Sequence, residues 1–320
     1  MNKDALATLQ RRTIRTLTIG QTLSGFGLGS TLSIGALLAA DLSGSEAWSG
    51  AAATFSTLGA AIWAIPLSRL AYARGRRVAL ATGASLAISG ALLVITAASL
   101  RFFPLLLIAL FLLGAGSATG LQARFAANDL PSNKTAGRDL SIVVWATTVG
   151  AVVGPNLNGI GITVGDSIGL PHMTGPFLLT ALAQLAATVV YLVGLRPEPL
   201  RTVGAPVVEK AKRVRVHVPP VTAMGIAVIG FGHATMVAVM AMTPVHLVHH
   251  GATVAESSFV ISLHVAGMYA FSPIFGSAAD RFGRVPVMIL GQGILFAALI
   301  LTSGFSDNQT LVTLGLFLLG

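Results

Sequence analysis

Gly276-Ser277-Ala278-Ala279-Asp280-Arg281-Phe282-Gly283-Arg284 is a short polar stretch between two apolar runs, at about 257–278 and 285–305, each long enough to cross a bilayer. Gly276 permits close approach of two helices, and Gly283 permits a tight turn. Arg281 and Arg284 suit a membrane face where anionic lipids and the positive-inside bias both favour cations. Asp280 is the odd member, because a carboxylate beside two arginines calls for a specific partner. The plainer alternative is that the two arginines only set topology.

Composition agrees with a membrane hairpin. The 320 residues are 54% hydrophobic and only 10% charged, with mean hydropathy +0.81. Soluble domains carry about 25% charged residues, so a polytopic membrane protein is expected. The net charge of +9 would point to nucleic acid in a soluble chain, so its distribution must decide. There is no cysteine, which excludes disulfides and thiolate metal sites. Lys3, Arg11, Arg12 and Arg15 precede an apolar run that resembles a signal peptide, but the run continues to about Ala40 without a small-residue cleavage site. It is read as a retained first span.

Nine apolar segments are long enough for complete spans, at about 14–40, 48–67, 78–100, 102–126, 139–164, 175–195, 220–247, 257–278 and 285–305. A tenth starts near Thr310 and reaches Gly320 after half a span. Of the 20 Lys and Arg, all but Arg101 fall on the side that holds the amino terminus. That side is therefore assigned to the cytoplasm. Charge spread over separate loops, instead of one patch, argues against a nucleic-acid partner. Residues 196–219 hold Pro197, Pro199, Pro206 and Pro219 with a basic run, and they read as a cytoplasmic linker between residues 1–195 and 220–320. Its charges suit either lipid headgroups or plain solvation.

The opening stretch is similar to the G-x-x-x-D-R-x-G-R loop of the major facilitator superfamily, with Gly276, Asp280, Arg281, Gly283 and Arg284 in all five motif positions. The resemblance implies an all-α membrane protein of two six-helix bundles that rock about a central cavity, and it places Asp280 against the start of the fifth span, around Arg138 to Ser141. An internal repeat fits the same plan. Gly75-Arg76-Arg77 corresponds to Gly283-Arg284, and Phe111-Leu112-Leu113-Gly114 recurs as Phe317-Leu318-Leu319-Gly320. A second half matching the first would extend to about residue 400, so the chain is read either as a fragment or as a naturally shortened protein.

In the fifth span, Gly150, Gly154 and Pro155 resemble the G-x-x-x-G-P-x-x-G-G motif of drug/proton antiporters, with the last glycines displaced to Gly159 and Gly161. Glycines four apart let backbones approach, and Pro155 kinks the helix. Two features depart from the family. The first copy of the loop has Tyr72 where the aspartate would stand, and Leu110 replaces an arginine of the antiporter pattern.

Ionisable groups at mid-membrane depth are functional candidates because burying them is costly. The carboxylates lie at span ends or in loops, whereas His233 and His264 lie deep. Either could bind substrate or carry a coupling proton; the alternative is a neutral imidazole bonding across helices. Met236 and Met240 share a helical stripe with His233 and would form a polarizable wall for flat molecules, or else core. Gln21 could supply a polar contact from the first span, with Gln122 and Arg124 near the cytoplasmic mouth. Arg124 is expected to pair with Asp129, the alternative being attraction of anions. His246, His249 and His250 lack convincing metal-ligand spacing.

The chain is thus read as a secondary transporter, with proton-coupled efflux of small organic molecules expected and protons and lipids as partners. It is expected as a monomer in the cell membrane, with no cofactor and no enzymatic activity. A metabolite importer of the same fold is the alternative, and so is a truncated membrane protein without transport.

Overall fold

The computed structural model describes residues 3–130, 136–202, 219–304 and 308–320, which contain helices and turns and no strand. In order, these are α1 (Lys3–Ser43), a 3-10 turn (Glu46–Trp48), α2 (Ala51–Arg74), α3 (Arg76–Ser99), α4 (Phe103–Ala126), α5 (Ala136–Asn156), α6 (Asn158–Ser167) and α7 (Gly175–Gly194). There follow α8 (Pro199–Thr202), α9 (Pro220–His249), α10 (Val254–Ala270), α11 (Ser272–Phe282), α12 (Arg284–Gly304) and α13 (Gln309–Leu319). Most of the basic linker, including Lys210, Lys212, Arg213 and Arg215, lies outside the described residues.

Seven of these helices are long and apolar enough to cross a membrane. The nine expected complete spans are not all continuous. The fifth is divided at Leu157 into α5 and α6, whose axes differ by 52°. Pro155 is the physical cause, since its ring removes a backbone donor and clashes with the preceding turn. The eighth is divided at Phe271, where α10 ends and α11 begins with a proline in its first turn.

The turn between α2 and α3 is made by Gly75 at φ +100°, and that between α11 and α12 by Gly283 at φ +91°. Both precede the arginine of the repeated motif, and both use backbone that side chains with a Cβ rarely adopt.

Without a hydrophobic drive between helices in lipid, close packing must hold them. α1 and α5 achieve it through glycine: a Cβ on Gly150 would run into the carbonyl of Thr22, and one on Gly154 into that of Phe26. Buried clusters around Leu17, Leu80 and Tyr191, and around Ile34, Leu106, Leu110 and Phe177, are built from α1–α7. Another, with Leu247, Val260, Ala298 and Leu316, belongs to α9, α10, α12 and α13. A small cluster of Ala151, Met240, Ile261 and Val265 joins the two groups. Ile65, Ile108, Val193, Ile289 and Phe296 stay exposed, as lipid-facing side chains would.

Candidate functional site

A cavity of about 340 Å³ lies between the two groups of helices. Its first wall comes from α1, α2, α4, α5 and α7, and the second from α9 and α10.

The first wall is polar and internally bonded. Gln21 donates to the Tyr191 hydroxyl at 3.0 Å and accepts from Thr147 Oγ1 at 3.3 Å. Ser24 donates to Gln184 Oε1 at 3.3 Å, while Gln184 Nε2 returns a bond to the Ser24 carbonyl at 3.3 Å. Such mutual bonds hold the amides of α1 and α7 in fixed orientations. Thr31, Ser117 and Arg124 complete this side. The second wall is sulfur-rich, with Met236, Met240 and Met268 beside Val237 and Val265, and it adds His233 and Tyr269.

Gln21, Arg124, His233, Met236 and Met240, all singled out in the sequence, are therefore brought together. Gln122 and His264 are not. Gln122 accepts from Arg76 Nη1 at 2.8 Å and does not line the cavity. His264 is fully buried and turned toward α13, with Nδ1 2.7 Å from the Leu316 carbonyl. A carbonyl only accepts, so Nδ1 carries the proton.

The pairing of Arg124 with Asp129 is not formed. Asp129 is taken by Arg76, which reaches its two carboxylate oxygens from Nε at 2.7 Å and Nη2 at 2.9 Å. The α2–α3 turn brings Arg76 there from a distant part of the chain. The same turn carries an anion at the start of α3: Glu198 accepts the backbone N–H of Arg76 at 2.7 Å and of Arg77 at 3.1 Å. Unpaired amides and the helix dipole favour a carboxylate at that position. Gly75 is needed beside it, because a Cβ there would overlap the Glu198 side chain.

At the opposite end of the helices the two walls are joined by hydrogen bonds. Asn158 Nδ2, fully buried, donates to Ser33 Oγ and Ser258 Oγ at 2.9 Å each. Asn156 donates to Ser262 Oγ at 2.7 Å, and Ser262 donates to the Val152 carbonyl at 2.7 Å. His249 Nε2 meets Glu46 at 2.8 Å near the same end. No cluster of metal-binding side chains occurs among the described residues.

In the 276–284 stretch, Arg281, Gly283 and Arg284 are exposed, and the Arg281 guanidinium lies 5.4 Å from the ring centroid of Phe282. The side chains of Asp280 and Arg138, and the surroundings of Gly276, lie outside the described residues. Sequence reasoning missed Gln184, Glu198 and Asn158. A lone amide such as Gln184 in the middle of an apolar span was the available signal, since polar groups at that depth require partners.

A model described as Major Facilitator Superfamily matches residues 17–320. The chain is 37% identical over 323 residues to the uncharacterized MFS-type transporter YddS of Bacillus subtilis, covering 98% of this chain and 74% of that protein. It is 32% identical over 308 residues to the riboflavin transporter RfnT of Brucella anthropi, covering 93% and 75%. Among solved structures, a D-xylose-proton symporter aligns with TM-score 0.69 at 16% identity, over 96% of this chain and 79% of that one. The partially occluded, inward-open xylose transporter XylE of E. coli aligns with TM-score 0.64 at 14% identity, over 98% and 81%.

Proposed function

The chain belongs to the major facilitator superfamily, and from that premise we propose that it is a proton-coupled carrier that exports small, flat, partly apolar molecules by alternating access. Members of this family are transporters, and the protein is a transporter and not an enzyme. The observation that carries the reading is the cavity between two walls from separate helix groups, tied together at one end by the Asn158 and Ser262 contacts. A cavity closed at one end and able to close at the other is what alternating access requires.

In this reading residues 1–195 and 220–320 form the two bundles, joined by the basic linker 196–219. The amino terminus and the basic loops face the cytoplasm, which the one-sided distribution of Lys and Arg supports. The protein works as a monomer in the cell membrane, with lipid headgroups at its basic loops. In this reading His233, which is exposed and lines the cavity, exchanges the coupling proton. Asp280 latches onto the start of α5 near Arg138 when the cytoplasmic side shuts, and the Gly150–Gly154–Pro155 segment with its bend helps to seal the other side. A flat heteroaromatic substrate, as the name of the relative RfnT records for that protein, is of the kind a methionine wall accepts.

The test is flux in proteoliposomes with and without an imposed pH gradient, using matched aromatic compounds with anionic, neutral and cationic groups. A gradient-dependent flux of at least one compound is expected. Rates equal to those of protein-free liposomes for every compound would refute the carrier reading, and flux independent of the gradient would refute the proton coupling.

A further inference from the structure

We propose, resting on the carrier reading, that the cavity selects an amphipathic organic anion: its carboxylate or sulfonate sits on Arg124, and its apolar body lies against Met236, Met240 and Met268.

Charge singles out Arg124. Arg124 is the one residue with a permanent charge among the described residues lining the cavity, and no Asp or Glu accompanies it. The neighbouring carboxylate, Asp129, is occupied by both Arg76 contacts. Arg124 itself forms no ion pair among the described residues, and its Nε is shielded from solvent without a hydrogen-bond partner. Shielded donors of a guanidinium are costly when left unmade. A positive field in a cavity with low-dielectric walls concentrates anions and repels cations. A neutral ligand of the same shape would gain nothing from that field. The planar fork of arginine also fits a pair of oxygens on a carboxylate or sulfonate.

The two walls also differ in chemistry. Fixed hydrogen-bonding groups, Gln21, Ser24 and Gln184, stand on the side that carries Arg124, while thioethers face them from α9 and α10. A ligand polar and anionic at one edge and apolar at the other satisfies both surfaces at once.

Naphthoate, naphthalenesulfonate, naphthamide and naphthylmethylammonium share one ring system and differ in charge. Binding of each to the purified full chain is measured calorimetrically and by thermal shift. The two anions should bind at least about tenfold more tightly than the amide, since a charge-assisted contact replaces a neutral one, and the ammonium should bind most weakly. Arg124→Gln should remove the preference for naphthoate over naphthamide, and Arg124→Lys should keep part of it. Arg101→Gln, in an exposed pair with Asp41, should leave it unchanged. Equal binding of amide or ammonium by the unaltered protein, failure of both anions to bind, or a preference that survives Arg124→Gln would overturn the proposal. Should that variant not fold, the comparison of ligand charges on the unaltered protein still decides. Flux of the same compounds separates the two readings. Anion-selective binding without flux would sink the carrier and keep the charge selectivity, whereas flux of the amide or ammonium without preference would do the reverse.

Discussion

Replacing Asn158 by alanine should loosen the closed end of the cavity. The amide of Asn158 is fully buried, and its two bonds, to Ser33 and Ser258 at 2.9 Å each, join α1 and α10 through α6. Ser33 lies in the same helix group as Asn158, so only the bond to Ser258 spans the two groups, and a hydrogen bond of about 0.5–1.5 kcal/mol net gives about 1 kcal/mol to this closed arrangement. Loss of that amount favours the open state by about fivefold, since each 1.4 kcal/mol is a factor of ten. The chain has no cysteine, so a single one can be introduced as a clean reporter. Thr31→Cys, on the cavity wall, is treated in right-side-out vesicles with a membrane-impermeant maleimide added from outside. Its initial labelling rate should rise in the Asn158→Ala background toward that factor. A rate unchanged to within about twofold would mean that these bonds do not hold the end shut, and the reasoning would fail.

Two further outcomes follow from the network and the deep histidine. Arg76→Met leaves Asp129 buried without its cation, the two side chains being only 4% and 9% exposed, and should cost about 3–5 kcal/mol in SDS unfolding from mixed micelles. Adding Asp129→Leu should restore most of it, and a loss under about 1 kcal/mol in the single variant would refute a structural pair. His264→Phe should lower the melting temperature by releasing α13 from α10, while leaving ligand affinity in the cavity unaltered. Unaltered melting with weakened binding would instead put His264 in the substrate pathway.

Local chemistry explains which features could be read in advance. Gly75 and Gly283 precede arginine in a repeated pattern, and both adopt the positive φ that such a turn demands. The spacing of Gly150 and Gly154 signals backbone contact, and their partners are the carbonyls of α1. Long-range partners were not legible. Arg124 and Asp129 are close in the chain, so a local reading pairs them, yet the α2–α3 turn delivers Arg76 to that carboxylate instead. Hydropathy measures apolar content along the chain and is silent on where a helix breaks, which is why the division at Phe271 escaped it. Glu198 stands in a proline-rich segment that reads as a connector, and only the fold brings it to the amides of α3. Whether a deep histidine faces a cavity or a neighbouring helix depends on the rotation of its helix, and His233 and His264 went opposite ways.

If the cavity alternates its access as proposed, the unlike chemistry of its two walls decides which wall carries the passenger. Directional bonds grip a molecule in one orientation, whereas contacts with thioethers are non-directional and re-form after a slide. On the proposed alternating-access reading, a bound molecule would travel with the side bearing Gln21 and Gln184 when the walls part, and the methionine side would glide past it.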